Sequence, residues 1–173
     1  MLVWLLGFIF GGCMAPKQTH QGEPTADATK VPHVLFIDSF LLTAPYGTIY
    51  VSSRGKVFIT IDEATGKMKE IGTLTPDGQM IATGGRVVAS ISETGALSGS
   101  DGKPSGGVIS DTGVLLYQDK MIQISADGTI VGTNPEVPTI YAVGIDANQH
   151  KTALFLLFSI IWEASPEGET QTN

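Results

Sequence analysis

The sequence predicts a mainly β fold: a small antiparallel meander, roll or irregular solenoid with Asp-Gly turns and one C-terminal helix packed on it. Three observations point there. Glycine supplies 21 of 173 residues, which suits short strands joined by tight reversals. A two-residue turn signal recurs at Thr65-Gly66, Asp77-Gly78, Thr94-Gly95, Asp101-Gly102, Thr112-Gly113 and Asp127-Gly128. Asp bonds its own downstream backbone and Gly accepts positive φ, so each pair turns the chain. Between the turns lie apolar, β-branched runs of strand length: KVFITID, RVVASIS, VLLYQD, MIQIS and TIVG.

The elements follow in order. Residues 34–51 hold two apolar runs separated by Ala44, Pro45, Tyr46 and Gly47. VLFI is continuous and reads as a strand buried on both faces, whereas TIYVSS alternates. In KVFITID, Val57, Ile59 and Ile61 share one face; in MIQIS the buried set is Met121 with either Ile122 or Ile124. The marked glycines are spaced 12, 17, 7, 11 and 15 residues apart. That spacing is irregular, and the body is too short for a propeller, which needs at least four blades of about 40 residues. TIYAVG adds a strand near residue 140. Residues 153–162, ALFLLFSIIW, are apolar almost throughout. A bilayer-spanning helix needs about 20 such residues, so this run cannot cross as one. Capped by Asp146 or Asn148, it predicts a helix over about 148–164, apolar nearly all round, which the sheet must cover. A central strand is the rival reading, since Phe, Ile and Trp suit one. The tail, 165–173, is small and acidic and reads as disordered.

Composition narrows function. Hydrophobic residues make up 42% and charged residues 16%, with a net charge of −7 and a pI near 4.8. That is a folding composition. The acidity repels phosphate backbones, and no basic stripe offsets it, so no nucleic-acid partner is expected. Attachment to a membrane would need an apolar anchor rather than charge.

Such an anchor is legible at the N-terminus. Residues 2–10, LVWLLGFIF, are apolar, and Gly11, Gly12 and Cys13 follow. The run has the length of an export-signal core. Gly11-Gly12-Cys13 after it resembles the lipobox of bacterial lipoproteins. The resemblance implies a signal peptide over 1–12, cleavage between Gly12 and Cys13, and lipidation of the Cys13 thiol, with the new amine acylated as well. Phe10 stands where that family prefers an aliphatic residue, and no Lys or Arg precedes the core. The alternative is a buried N-terminal strand with an ordinary core cysteine. Residues 13–32 hold three prolines and several threonines and read as the lipidated cysteine and a flexible tether. A single cysteine excludes an intrachain disulfide. Met14 rather than Asp follows it, which in the resembling family favours the outer membrane where the host has one. The β-rich domain then covers 33–164. Over roughly 54–132 the pattern apolar-x-apolar-Ser-x-Asp/Thr-Gly-x-apolar resembles repeats in uncharacterised lipoproteins of predatory and gliding bacteria, a resemblance that carries no activity.

The remaining candidates for chemistry are sparse. His20, His33 and His150 lie at no metal-ligand spacing, and no metal or cofactor is expected. Asp38-Ser39 lacks the glycines of a nucleophile elbow. Asp101, Asp146 and Asn148 do not meet the calcium-loop spacing. SGGVISDTG lacks the Lys-Ser/Thr ending of a phosphate loop. Asp62-Glu63, adjacent on a strand, would point to opposite faces and reads as a turn start. No catalytic constellation emerges, so an enzyme is the weakest of three expectations. The first is a lipid-anchored envelope protein with a structural or protein-binding role, whose partners are the membrane through its anchor and another envelope protein. The second is a small-ligand or glycan-binding module using Tyr46, Tyr50, Tyr117 and Tyr141. Mass measurement of the mature protein from the membrane fraction is expected to show residues 1–12 gone and acyl chains on Cys13, with Cys13→Ser unprocessed. A free Cys13 thiol in full-length native protein would contradict the anchor.

Overall fold

The computed structural model describes residues 33–45, 47–133 and 139–163. It is mainly β with one C-terminal helix. The strands are β1 (Phe40–Ala44), β2 (Gly47–Val51), β3 (Lys56–Asp62), β4 (Lys67–Leu74), β5 (Gln79–Ala82), β6 (Val87–Ile91), β7 (Ala96–Ser98), β8 (Pro104–Ile109), β9 (Val114–Tyr117), β10 (Lys120–Ile124), β11 (Thr129–Gly132) and β12 (Ile140–Val143). Each pairs antiparallel with the next, and β12 returns to β1, Leu42 facing Ala142. The neighbour order is that of a meander. The sheet is more specific than the expected meander, roll or irregular solenoid, because it closes into a barrel.

The physical reason for closure is α1 (His150–Glu163). Residues Ala153 to Ser159 are all buried, none more than 6% exposed. Seven consecutive residues at 3.6 per turn point in every direction around a helix. One sheet face can cover one side of it; only a closed wall covers all sides. Helix is thus the correct reading of 153–162. Asp146 caps a single 3-10 turn, Ala147–Gln149, accepting from the Asn148 and Gln149 amides at 2.8 and 3.3 Å. Gln149 closes the box through Oε1, which accepts from the Asp146 amide at 3.1 Å. The helix starts beside the β8–β9 turn, with His150 against Gly113. It ends at the opposite rim, where Trp162 lies over Gly99 and Glu163 pairs with Arg86.

Five turns on the rim beside His150 share one construction: Ser52–Gly55, Thr75–Gly78, Ser92–Gly95, Ser110–Gly113 and Ser125–Gly128. In the first four, the hydroxyl accepts from the amide four residues on: Lys56, Gln79, Ala96 and Val114, at 3.0–3.2 Å. Every glycine has a positive φ, between +77° and +90°. Each glycine carbonyl then accepts from an amide at the next turn of this rim, Leu74, Ile91, Ile109, Ile124 and Ala142 in order, at 2.8–3.0 Å. The residue before each turn is a buried aliphatic (Val51, Leu74, Ile91, Ile109, Ile124), as is the second residue after each glycine (Val57, Met80, Leu97, Leu115, Ile130). Turn, core and neighbouring hairpin are therefore joined in one seven-residue pattern. Gly66 and Gly102 belong to the opposite rim, where a side chain would meet nothing. Mixing the two rims is what makes the sequence spacing irregular.

Three details differ from expectation. VLFI forms no strand. Its residues cross the end of the barrel, the Val34 and Leu35 amides donating to Pro76 O at 2.8 and 3.1 Å. Leu35 is buried beneath, and Thr152 Oγ1 donates to Phe36 O at 2.8 Å. A continuous apolar run looks alike as a two-sided strand or as a plug. Of Val57, Ile59 and Ile61 only the first two share a face, opposite Val51 and Ile49 of β2; Ile61 leaves it at the register break between Thr60 and Asp62 and is 52% exposed. In β10 the inward residues are Ile122 and Ile124, while Met121 faces out.

A paired substitution tests the turn construction. At Gly95 an added Cβ would collide with Ile109 O in a left-handed backbone, and at Gly102 it meets only open space at φ +74°. Gly95→Ala is expected to cost about 3 kcal/mol or more and Gly102→Ala about 1 kcal/mol in urea unfolding. Equal losses would contradict the account.

Candidate functional site

Cys13, Gly11, Gly12, His20, Tyr46 and the tether lie outside the described residues. The other sequence candidates separate rather than converge. Asp38 accepts from the Ser39 amide at 2.6 Å in the exposed segment that leads into β1. Asp62 accepts from the Ala64 and Thr65 amides and from the Thr65 hydroxyl at 2.6 Å. Those bonds, the Thr65 hydroxyl foremost, hold its carboxyl below the usual range. Asp101 turns back on Lys103, accepting from its amide at 2.9 Å and pairing with its ammonium at 2.7 Å. The pairing lowers the Asp101 carboxyl and raises the Lys103 ammonium. Asp146 and Asn148 belong to the helix cap. SGGVIS runs into β8 and makes a strand. These polar residues shape turns, which short-range hydrogen bonding explains without a ligand. Among the described residues no group of His, Cys, Asp and Glu is placed to hold a metal ion.

The described tyrosines do not converge on one cleft. Tyr50 stacks on Phe58 on the outer wall, centroids 6.0 Å apart. Tyr117 sets its edge against Phe158 and Trp162 at the far end of the barrel, at 5.5 and 6.3 Å. Tyr141 stands 53% exposed on β12.

What the barrel does assemble is an apolar outer wall. Val108, Leu116 and Met121 lie directly opposite one another across β8, β9 and β10. Val143, Leu41, Tyr50 and Phe58 form a second row across β12, β1, β2 and β3. Val131 and Tyr141, on β11 and β12 between the rows, are 49% and 53% exposed. The wall changes character on the other side: Gln79, Ser90 and Ser98 face one another across β5, β6 and β7. Closure leaves no strand edge between β12 and β1, so a partner has side chains to meet there rather than an unpaired backbone. None of this was visible in the sequence, because cross-strand rows depend on register.

A second feature lies on the rim beside the start of α1. A cleft of about 600 Å³ is lined by His33, Phe36, Glu93, Asp111, Asn148 and Lys151, among others. Lys151 bridges two turns across its floor, donating to Glu93 O at 3.2 Å and to Asp111 Oδ1 at 3.1 Å. Its ammonium is well shielded while Asp111 is open to water, so this ion pair orients Lys151 more than it stabilises the fold. No described helix is long and apolar enough to cross a membrane. The strands, three to eight residues long, fall short of the 9–11 or so that a membrane-spanning strand needs.

Comparison of the chain with protein-family models, with curated proteins and with solved structures finds no match.

One carboxylate gives a pH test of the turns. Asp127 accepts from Ser125 Oγ at 2.6 Å and from the Thr129 amide at 3.0 Å, which holds its pKa down to about 2, from 3.8. A carboxylate depressed on folding stabilises the fold above its unfolded pKa, and that contribution disappears as pH falls through the folded value. Asp127→Asn is expected to be less stable than the natural protein at pH 7, with the gap closing between about pH 4 and pH 2. A gap independent of pH would contradict it.

Proposed function

We propose that this chain is a lipid-anchored lipoprotein of the bacterial cell envelope, held through Cys13, with the outer membrane as its site in a host that has one. Its barrel serves a structural, protein-binding role, and the surface that binds another envelope protein is the apolar wall of β8–β12 and β1–β3. The wall is the observation that carries this reading. Its side chains expose on the order of 500 Å² of apolar surface, a size at which a patch on a monomer is commonly functional. A standard interface buries roughly 800 Å² per partner, of which such a wall would form the apolar centre. The Gly11-Gly12-Cys13 signal supports the location and the wall supports the role, and the two are independent.

The rim cleft favours a second reading, a small-ligand module, because its 600 Å³ lies within the range of roughly 300–1,000 Å³ of known ligand sites. None of the described tyrosines lines this cleft: Tyr50 and Tyr141 lie on the outer wall and Tyr117 at the far end of the barrel, which leaves the glycan form of that reading without support from the cleft.

Photo-crosslinking side chains placed at Leu116 and Val143, and at Gln79 and Ser98 as controls, separate the readings in intact cells. The proposal expects one defined adduct with a second envelope protein from the two wall positions and none from the controls. Leu116→Lys is expected to weaken that complex by about tenfold or more while changing stability by less than about 1 kcal/mol, the side chain being exposed. Equal adducts from all four positions, or none from any, would overturn the binding role of the wall.

A further inference from the structure

At the end of the barrel away from His150, α1 does not fill the interior. A pocket of about 340 Å³ opens between the helix and β4–β6, lined by Ile71, Met80, Ala82, Val88 and Ile160, with Ser159 and Glu163. The pocket lies where the β5–β6 register breaks between Met80 and Ile81.

The pocket's chemistry is that of hydrocarbon. Ser159 donates its hydroxyl proton to Phe155 O at 2.8 Å within the helix. Glu163 is paired with Arg86. Water in a buried site needs two to four polar partners, and the remaining lining residues supply none. The entrance is different. Arg86 and Glu163 stand there half-exposed, and Arg86 uses one guanidinium nitrogen on Glu163. Among the described residues its other donors meet no further acceptor, and a guanidinium is well suited to an anionic group. Residues 164–173 include only Ala164 and Pro166 as apolar side chains.

We propose that this pocket binds a saturated acyl chain, with an anionic headgroup held at Arg86. The volume is about that of ten waters, and a methylene is of similar size, so about ten carbons fit. The source is a free fatty acid. Binding an acyl chain is separate from the protein-binding role of the wall and does not rest on it.

The test titrates the full chain carrying Cys13→Ser, which has no lipid of its own, with sodium decanoate below its micelle concentration. Decanoate is expected to bind on the order of 100-fold more tightly than hexanoate, which has four fewer methylenes. Ala82→Leu, which fills the pocket, is expected to weaken decanoate by at least about tenfold. Arg86→Gln, an exposed change that leaves the core intact, is expected to weaken it about fivefold and to abolish its preference over decyltrimethylammonium. The proposal is overturned if Cys13→Ser does not bind decanoate, or if chain length and Arg86→Gln leave affinity unchanged.

Discussion

The constraint on which the structure depends is a helix with no polar side. From Ala153 to Ser159 every residue of α1 is buried, with Leu154, Phe155 and Leu156 at zero exposure. Burying each large apolar side chain contributes about 1.5–3 kcal/mol, but only where water is excluded in the direction that residue points. No flat sheet meets that condition around a full turn. A wall of strands returning on itself does, and the strands can be short because they need only match a 14-residue helix. The few polar atoms on this helix are handled locally. Ser159 bonds back to Phe155 O, and Thr152 reaches the plug segment at Phe36 O.

Closure around a helix demands tight, repeatable turns on at least one rim, and the Ser/Thr-x-x-Gly construction supplies them. The hydroxyl holds the turn, the left-handed glycine lets the chain reverse, and the glycine carbonyl binds the next turn of that rim. Because this last bond passes between hairpins, each turn also sets the placement of its neighbour. Among the described residues of the opposite rim no turn glycine carbonyl makes such a bond. Gly66, Gly85 and Gly102 stand clear of neighbouring atoms, and the loops there vary in length. One rim is thus built uniformly and the other is open to variation.

Much of this was legible in the residues, and the limits were physical. The turn signals, most of the strands and the terminal helix follow from local chemistry: positive φ at glycine, apolar runs of strand length, and an apolar stretch behind the Asp146 cap. Closure did not follow, because it is a property of how β12 meets β1, more than 90 residues apart in sequence. β4, β5 and β7 carry weak apolar patterns and are stabilised as strands by their neighbours more than by propensity. Arg54-Gly55 escaped notice for lack of an Asp or Thr, although Ser52 makes its turn like the others. The apolar wall was hidden for the same reason as closure: Val143, Leu41, Tyr50 and Phe58 are adjacent only once register is known.

This arrangement separates the inside of the protein from its outside. The interior is given over to α1 and the residues that enclose it, so recognition falls to the outer wall, the rim cleft and the pocket at the far mouth. All three depend on the barrel being closed on its helix. Native-state amide exchange measures that directly. If the helix is the centre around which the wall is built, amides from Leu156 to Ser159 exchange only through global unfolding, with the same free energy as the slowest amides of β6, β8, β9 and β10. Exchange of the helix amides at a distinctly lower free energy, with the strands still protected, would show a wall that stands without its helix and would contradict the account.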